Sequence, residues 1–134
     1  MDCLFCKIVS KEIPAFVVYE DAQVIAFLDI HPVNQGHTLV VPKVHADAIT
    51  DASPDVLSAM IVVAQKVAKG LMATGAEGVN VLQNTGPVAG QVVPHLHIHV
   101  IPRRGDDGFR HWQGKDYQEG EIGTVCEQLK SHIV

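Results

Sequence analysis

The chain has 134 residues and a mass of 14.5 kDa, room for one hydrophobic core but not for a second domain of any substance. Apolar residues make up 47% and charged residues 19%, ordinary globular usage that excludes collagen-like, coiled-coil and disordered chains. A formal net charge of −5 with no Lys/Arg run excludes long nucleic acid held by its phosphates, while leaving room for a small phosphorylated ligand in a locally polar pocket.

No stretch approaches the roughly 20 apolar residues that cross a bilayer, and Met1-Asp2-Cys3 lacks a basic region followed by an apolar one. The expectation is a cytoplasmic protein with no membrane partner. Three cysteines, Cys3, Cys6 and Cys126, are an odd count that suits a reducing compartment better than a disulfide framework.

In chain order, Phe16–Glu20 and Val24–Asp29 read as a β-hairpin turned at Asp21-Ala22. A turn through His31–Gly36 leads into Thr38–Val41, a short apolar strand that Pro42 should end for want of an N–H. Ser53-Pro54-Asp55 is a helix start, with Ser as N-cap, Pro at the first helical position and a carboxylate in the first turn. That helix should run to about Thr74, presenting Leu57, Met60, Ile61, Ala64, Val67, Ala68 and Leu71 as one apolar stripe, with Gly75 as a left-handed cap. Val79–Gln83 is a fourth strand, Gly86–Gly90 a glycine-bounded loop, and His95–Ile101 a last strand stopped by Pro102. Residues 103–120 are polar and irregular. Ile122, Val125, Cys126 and Leu129 then form a weak helical stripe, suited to closing against the sheet or against a partner subunit. The order β-β-β-α-β-β-α with tight early connections favours an α+β fold on an antiparallel sheet.

Side chains alternate along a strand, so His95, His97 and His99 share one face while Leu96, Ile98 and Val100 share the other. The intervening residues are expected in the core and the histidines on display. Three such imidazoles beside a glycine loop offer bases, donors, nucleophiles or metal ligands near neutral pH. Side chains at i, i+2 and i+4 spread over about 13 Å, so one catalytic ion held by all three would require strand distortion.

The run His95-Leu96-His97-Ile98-His99-Val100-Ile101 resembles the His-φ-His-φ-His-φ-φ motif, φ being apolar, that defines the histidine-triad (HIT) superfamily of nucleotide hydrolases and transferases. Cys3-x-x-Cys6, Ile13-Pro14, Tyr19-Glu20-Asp21, Phe27-Leu28-Asp29, Gly36–Val40, Pro42-Lys43-x-His45 and Gly90-Gln91 are similar to its other landmarks, in the same order. The resemblance spans about residues 2–104, with 105–134 as a C-terminal extension of a single domain. It is nearest the Hint-like bacterial and archaeal branch that carries an N-terminal C-x-x-C.

This resemblance implies a five-stranded antiparallel sheet packed with one long helix and a C-terminal helix. It implies catalysis by His97, His99 and His95, with His97 attacking the α-phosphorus of a purine nucleotide ester, anhydride or phosphoramidate and no catalytic metal. The nucleotide would lie against Phe27, Asp29, Ile30, Asn84, Gly90, Gln91 and Val92 as well as His97 and His99, with Asp29 on the ribose hydroxyls. Where the family carries Ser or Thr after Gly-Gln, this chain has Val92, which cannot donate a hydrogen bond to a leaving group. A homodimer built on the long helix and a neighbouring strand is also implied, with Trp112 near the partner's pocket.

Cys3-x-x-Cys6 by spacing alone is a redox pair, a zinc half-site or two packed thiols. The resemblance completes it with His45 and His95 as one structural zinc per chain. A slow nucleotide-binding adaptor with the same pocket is the alternative to an enzyme. His37 is expected near the nucleotide pocket, while His31, His111 and His132 have no assigned task.

Overall fold

The computed structural model of the chain describes residues 2–133, and its elements follow the order α1 (Leu4–Val9), β1 (Val17–Glu20), β2 (Val24–Leu28), β3 (Thr38–Pro42), α2 (Pro54–Ala73), β4 (Gly78–Gln83), β5 (Ile98–Arg103) and α3 (Glu121–Lys130). The five strands form one antiparallel sheet in the order β1-β2-β3-β5-β4. The hairpin turns where expected, because Asp21 Oδ1 accepts the backbone N–H groups of Gln23 and Val24 at 2.8 Å.

Alternation divides the core in two. Val24, Ala26, Val40, Leu96, Ile98 and Val100 face Met60, Val63 and Ala64 of α2. Ile25, Phe27, Leu39 and Val41 face the opposite way, onto Cys3, Phe5 and Ile8 of the N-terminal segment. Ser53 caps α2 through the Val56 N–H, and Gly75 follows its end at φ +109°, where any other residue would be strained. Ile61, assigned above to the buried stripe, is 52% exposed, and Val63 takes the inward position.

Three further expectations are corrected. Helix α1 was not anticipated, because its cap is Cys3, whose Sγ accepts the Cys6 N–H at 3.4 Å, and cysteine is not among the usual capping residues. The last strand starts at Ile98 rather than His95, since Leu96 N donates to Ala46 O at 2.7 Å, outside the strand ladder. It also continues through Pro102, which pairs with Val79 beyond the last β3 partner, Val100, where a missing N–H is tolerated. Finally, α2 has the length and, at a mean hydropathy of 1.5, the apolarity of a bilayer span, contrary to the sequence reading. Its Met60, Val63 and Ala64 cover one sheet face, while Ile61, Val62 and Met72 are exposed.

Helix α3 forms, but none of its residues is buried. It therefore does not close against the sheet of its own chain.

Candidate active site

The face of the sheet opposite α2 carries the histidines. The row Phe27, Leu39, His99 and Leu82 runs across β2, β3, β5 and β4 in register, so Phe27 lies two strands, or about 10 Å, from His99. The histidines are not on open display: His95 is 0% and His97 5% exposed, because Phe5 covers them edge-on with ring centroids 5.9 and 5.1 Å away. Sequence reasoning had no cover for this face without α1.

His97 Nδ1 lies 2.6 Å from the His95 carbonyl, which only accepts, so the Nδ1–H is donated and Nε2 keeps its lone pair. Burial holds the imidazole below its ordinary pKa, opposed by that carbonyl contact and by Asp29. His97 is thus a neutral, oriented base. His99 packs beside it at 4.9 Å between ring centroids. Its pKa is pushed down to about 4, by burial first and then by His97 and His37. His99 Nδ1 meets His37 Nε2 at 2.9 Å, while His99 Nε2 is buried without a protein partner among the described residues.

Asp29 directly follows β2, with Oδ1 accepting the His31 N–H at 2.8 Å and Oδ2 3.7 Å from His37 Nε2. Phe27 is buried against Phe5 at 5.5 Å between centroids, and therefore serves as floor, whereas Ile30 is exposed at the rim. Gly90, at φ +100°, admits the Asn84 side chain so closely that a Cβ there would stand 3.2 Å from Nδ2. Gln91 is used structurally, since its side chain accepts from Gly86 N and donates to Asp47 O and Val93 O, bracing the loop beside the triad. Val92 is 89% exposed.

His95 does not share its neighbours' surroundings. Its Nε2 donates to Pro42 O at 2.9 Å, and its Nδ1 lies 3.4 and 3.5 Å from the sulfurs of Cys3 and Cys6. Both of its ring nitrogens are therefore engaged within the chain, one by the Pro42 carbonyl and one by the cysteine cluster. His45 Nδ1 stands 3.0 Å from His95 Nδ1 and 3.3 Å from Cys6 Sγ, while His45 Nε2 meets Asp47 Oδ1 at 2.7 Å. Pro42 O and the Asp47 carboxylate accept, so both Nε2 atoms carry a proton and, in the neutral rings, the two Nδ1 lone pairs face each other beside the cysteine sulfurs. A cation at their centre resolves this contact. Two thiols and two imidazoles within 4.8 Å of one another suit tetrahedral zinc, with about 2.3 Å to sulfur and 2.0–2.1 Å to nitrogen. The triad's three side chains do not converge on one ion, because His95 and His97 are committed elsewhere.

Residues 10–106 match the HIT domain family, and the chain belongs to it. It is 51% identical over 106 residues to an uncharacterized HIT-like protein of Methanocaldococcus jannaschii, covering 79% of this chain and 82% of that one. It is 39% identical over 136 residues to the adenosine 5′-monophosphoramidase hnt1 of Schizosaccharomyces pombe, covering 99% of each. Among solved structures, a HIT family member from Bacillus subtilis superposes with a TM-score of 0.93 at 34% identity, covering 100% of this chain and 99% of that one. A zinc-bound histidine triad family protein from Mycobacterium smegmatis gives 0.79 at 38% identity, covering 99% of each. The fold is that of the HIT family, and its named relatives include nucleotide hydrolases.

Proposed function

We propose that the chain is a hydrolase or nucleotidyl transferase acting at the α-phosphate of purine nucleotide conjugates, through a nucleotidyl-histidine on His97. The observation that carries this reading is the pairing of a neutral imidazole whose free Nε2 is aimed by the His95 carbonyl with a neighbour whose Nε2 has no partner among the described residues. Attack by His97 Nε2 forms a nitrogen–phosphorus bond and breaks the bond to the leaving group, which takes its electron pair and a proton. Water then displaces the histidine, releasing the nucleoside monophosphate. His99 is assigned to the phosphoryl oxygens, where a fixed donor meets the charge that builds during displacement. Asp29, two residues beyond Phe27, is assigned to the ribose hydroxyls, with Asn84 and the Gly90-Gln91 backbone along the phosphate.

The phosphoramidase name of a relative aligned over its full length supports a phosphorus–nitrogen bond as one substrate. Val92 leaves amine departure without a hydroxyl donor at that position, so phosphoric anhydrides stand beside phosphoramidates in the assignment. One structural zinc on Cys3, Cys6, His45 and His95 would tie α1 to the triad and fix His95, whose carbonyl holds His97. The lone-pair contact between the imidazoles and the zinc in the mycobacterial relative support it. The chain is assigned as a single domain and a cytoplasmic homodimer built on α2 and a neighbouring strand, with Trp112, 95% exposed, near the partner's pocket.

Steady-state release of AMP from adenosine phosphoramidate and from a dinucleoside polyphosphate tests the reading, with native protein and His97→Ala in parallel. Turnover that disappears in the variant is expected. Tight AMP binding without turnover of either compound would instead identify the adaptor alternative.

A further inference from the structure

Beside the triad lies a fourth histidine that no role above absorbs. His37 is buried at the head of β3, held by backbone at both ends: its N–H donates to Asn34 O at 3.0 Å and its carbonyl accepts from Asp29 N at 2.9 Å. The turn before it requires Gly36, at φ +102°, where a Cβ would also come within 3.0 Å of Leu71 Cδ2.

The ring contacts have a direction. The Val33 backbone N–H donates to His37 Nδ1 at 3.1 Å, and a peptide N–H cannot accept. His37 Nδ1 is therefore a lone pair, so the neutral ring carries its proton on Nε2. That proton points to His99 Nδ1, 2.9 Å away, which must in turn be a lone pair. The proton of neutral His99 is left on Nε2, the buried ring atom without a partner among the described residues. His97 has the opposite arrangement, with Nδ1–H on the His95 carbonyl and a bare Nε2.

We propose that His37 is a positioning residue which sets the tautomer of His99, so that adjacent triad members present a lone pair and an N–H donor to the same substrate. A phosphoryl group needs both: an electrophilic phosphorus for the lone pair and an oxygen for the donor. With the other tautomer, His99 would direct a second lone pair at the phosphoryl oxygens and repel them. Asp29 Oδ2, 3.7 Å from His37 Nε2, adds a carboxylate that favours hydrogen on that nitrogen. The cluster of Asp29, His37 and His99 is thereby accounted for by the His37–His99 hydrogen bond and the neighbouring Asp29 carboxylate.

The tautomer assignment stands independently of the proposed reaction; only its kinetic consequence rests on that reading. Long-range nitrogen–proton NMR correlations on the nitrogen-15-labelled native protein read the tautomers directly. The result expected is Nε2–H on both His37 and His99. Nδ1–H on His99 would overturn the proposal, whatever the protein hydrolyses. Two variants give the kinetic arm: His37→Gln keeps an N–H donor near the Nε2 position, whereas His37→Leu removes it. In His37→Leu, His99 should show mixed tautomers, and kcat should fall about 100-fold with KM changed far less, the scale of losing one oxyanion donor. His37→Gln should recover about tenfold of that loss or more, as expected for a restored donor. Equal kcat values in folded Leu and Gln variants would contradict the proposed relay. If His37→Leu does not fold, the native tautomer measurement decides alone.

Discussion

Replacing Phe5 by alanine tests whether α1 is part of the active site's architecture. Phe5 is buried and its ring touches three others, Phe27, His97 and His95, at centroid distances of 5.5, 5.1 and 5.9 Å. Truncating a buried phenylalanine costs about 3–5 kcal/mol in transfer and cavity terms. Unfolding entropy of roughly 2.1 cal/mol/K per residue gives about 0.28 kcal/mol/K for 134 residues, hence about 3.5 °C in Tm per kcal/mol. The expected fall is about 10–18 °C by scanning calorimetry at fixed metal and protein concentration. Phe5→Leu keeps most of the volume and should lose less than half as much. Because the ring also walls in His97, kcat should drop further in the alanine variant than in the leucine variant. A Tm loss below about 4 °C, near 1 kcal/mol, would refute the packing of α1 on the triad.

Three other outcomes follow from the same geometry. His99 has its pKa lowered from 6.5 to about 4 by burial, so the unfolded chain binds the proton first; this contribution is full above pH 6.5 and declines as pH falls toward 4, which acid titration of stability should register. Purified protein should carry about one zinc per chain by elemental analysis, and a chelator or Cys6→Ser should lower Tm by about 14 °C, the equivalent of about 4 kcal/mol for a ligand at a thousandfold excess over its Kd. A chain with no zinc and an unchanged Tm would remove the metal from the account. Val92→Ser should raise turnover of substrates with poor leaving groups by about tenfold, the worth of one added hydrogen bond, and an unchanged rate would show that no hydroxyl is needed there.

Much of the frame is legible in the residues because local chemistry dictates it. Ser53-Pro54-Asp55 starts α2, Asp21 turns the hairpin, and the alternation through Leu96, Ile98 and Val100 places these residues on the α2 face. The triad's spacing put its three rings on one side, but not under cover: the helix over it is too short for a periodic signal and is capped by a cysteine. His95 illustrates a second limit. Alternation alone groups it with His97 and His99; the family resemblance sets it with Cys3, Cys6 and His45, and the contacts agree, adding only Pro42 O as the partner of Nε2. His37 could be placed near the pocket, but its direction as a donor depends on Val33 N, a contact made by the turn's geometry. The α3 stripe was readable as a helix but not as an unpacked one, since an apolar stripe does not reveal which surface covers it.

Intact-mass analysis after rapid mixing with adenosine phosphoramidate or a dinucleoside polyphosphate reads whether His97 forms the covalent intermediate. An adenylyl adduct that decays as AMP is released is expected on the native chain, with none on His97→Ala. Undiminished AMP release by His97→Ala, or native turnover without an adduct under conditions that trap a reference nucleotidyl-histidine, would contradict the covalent role of His97.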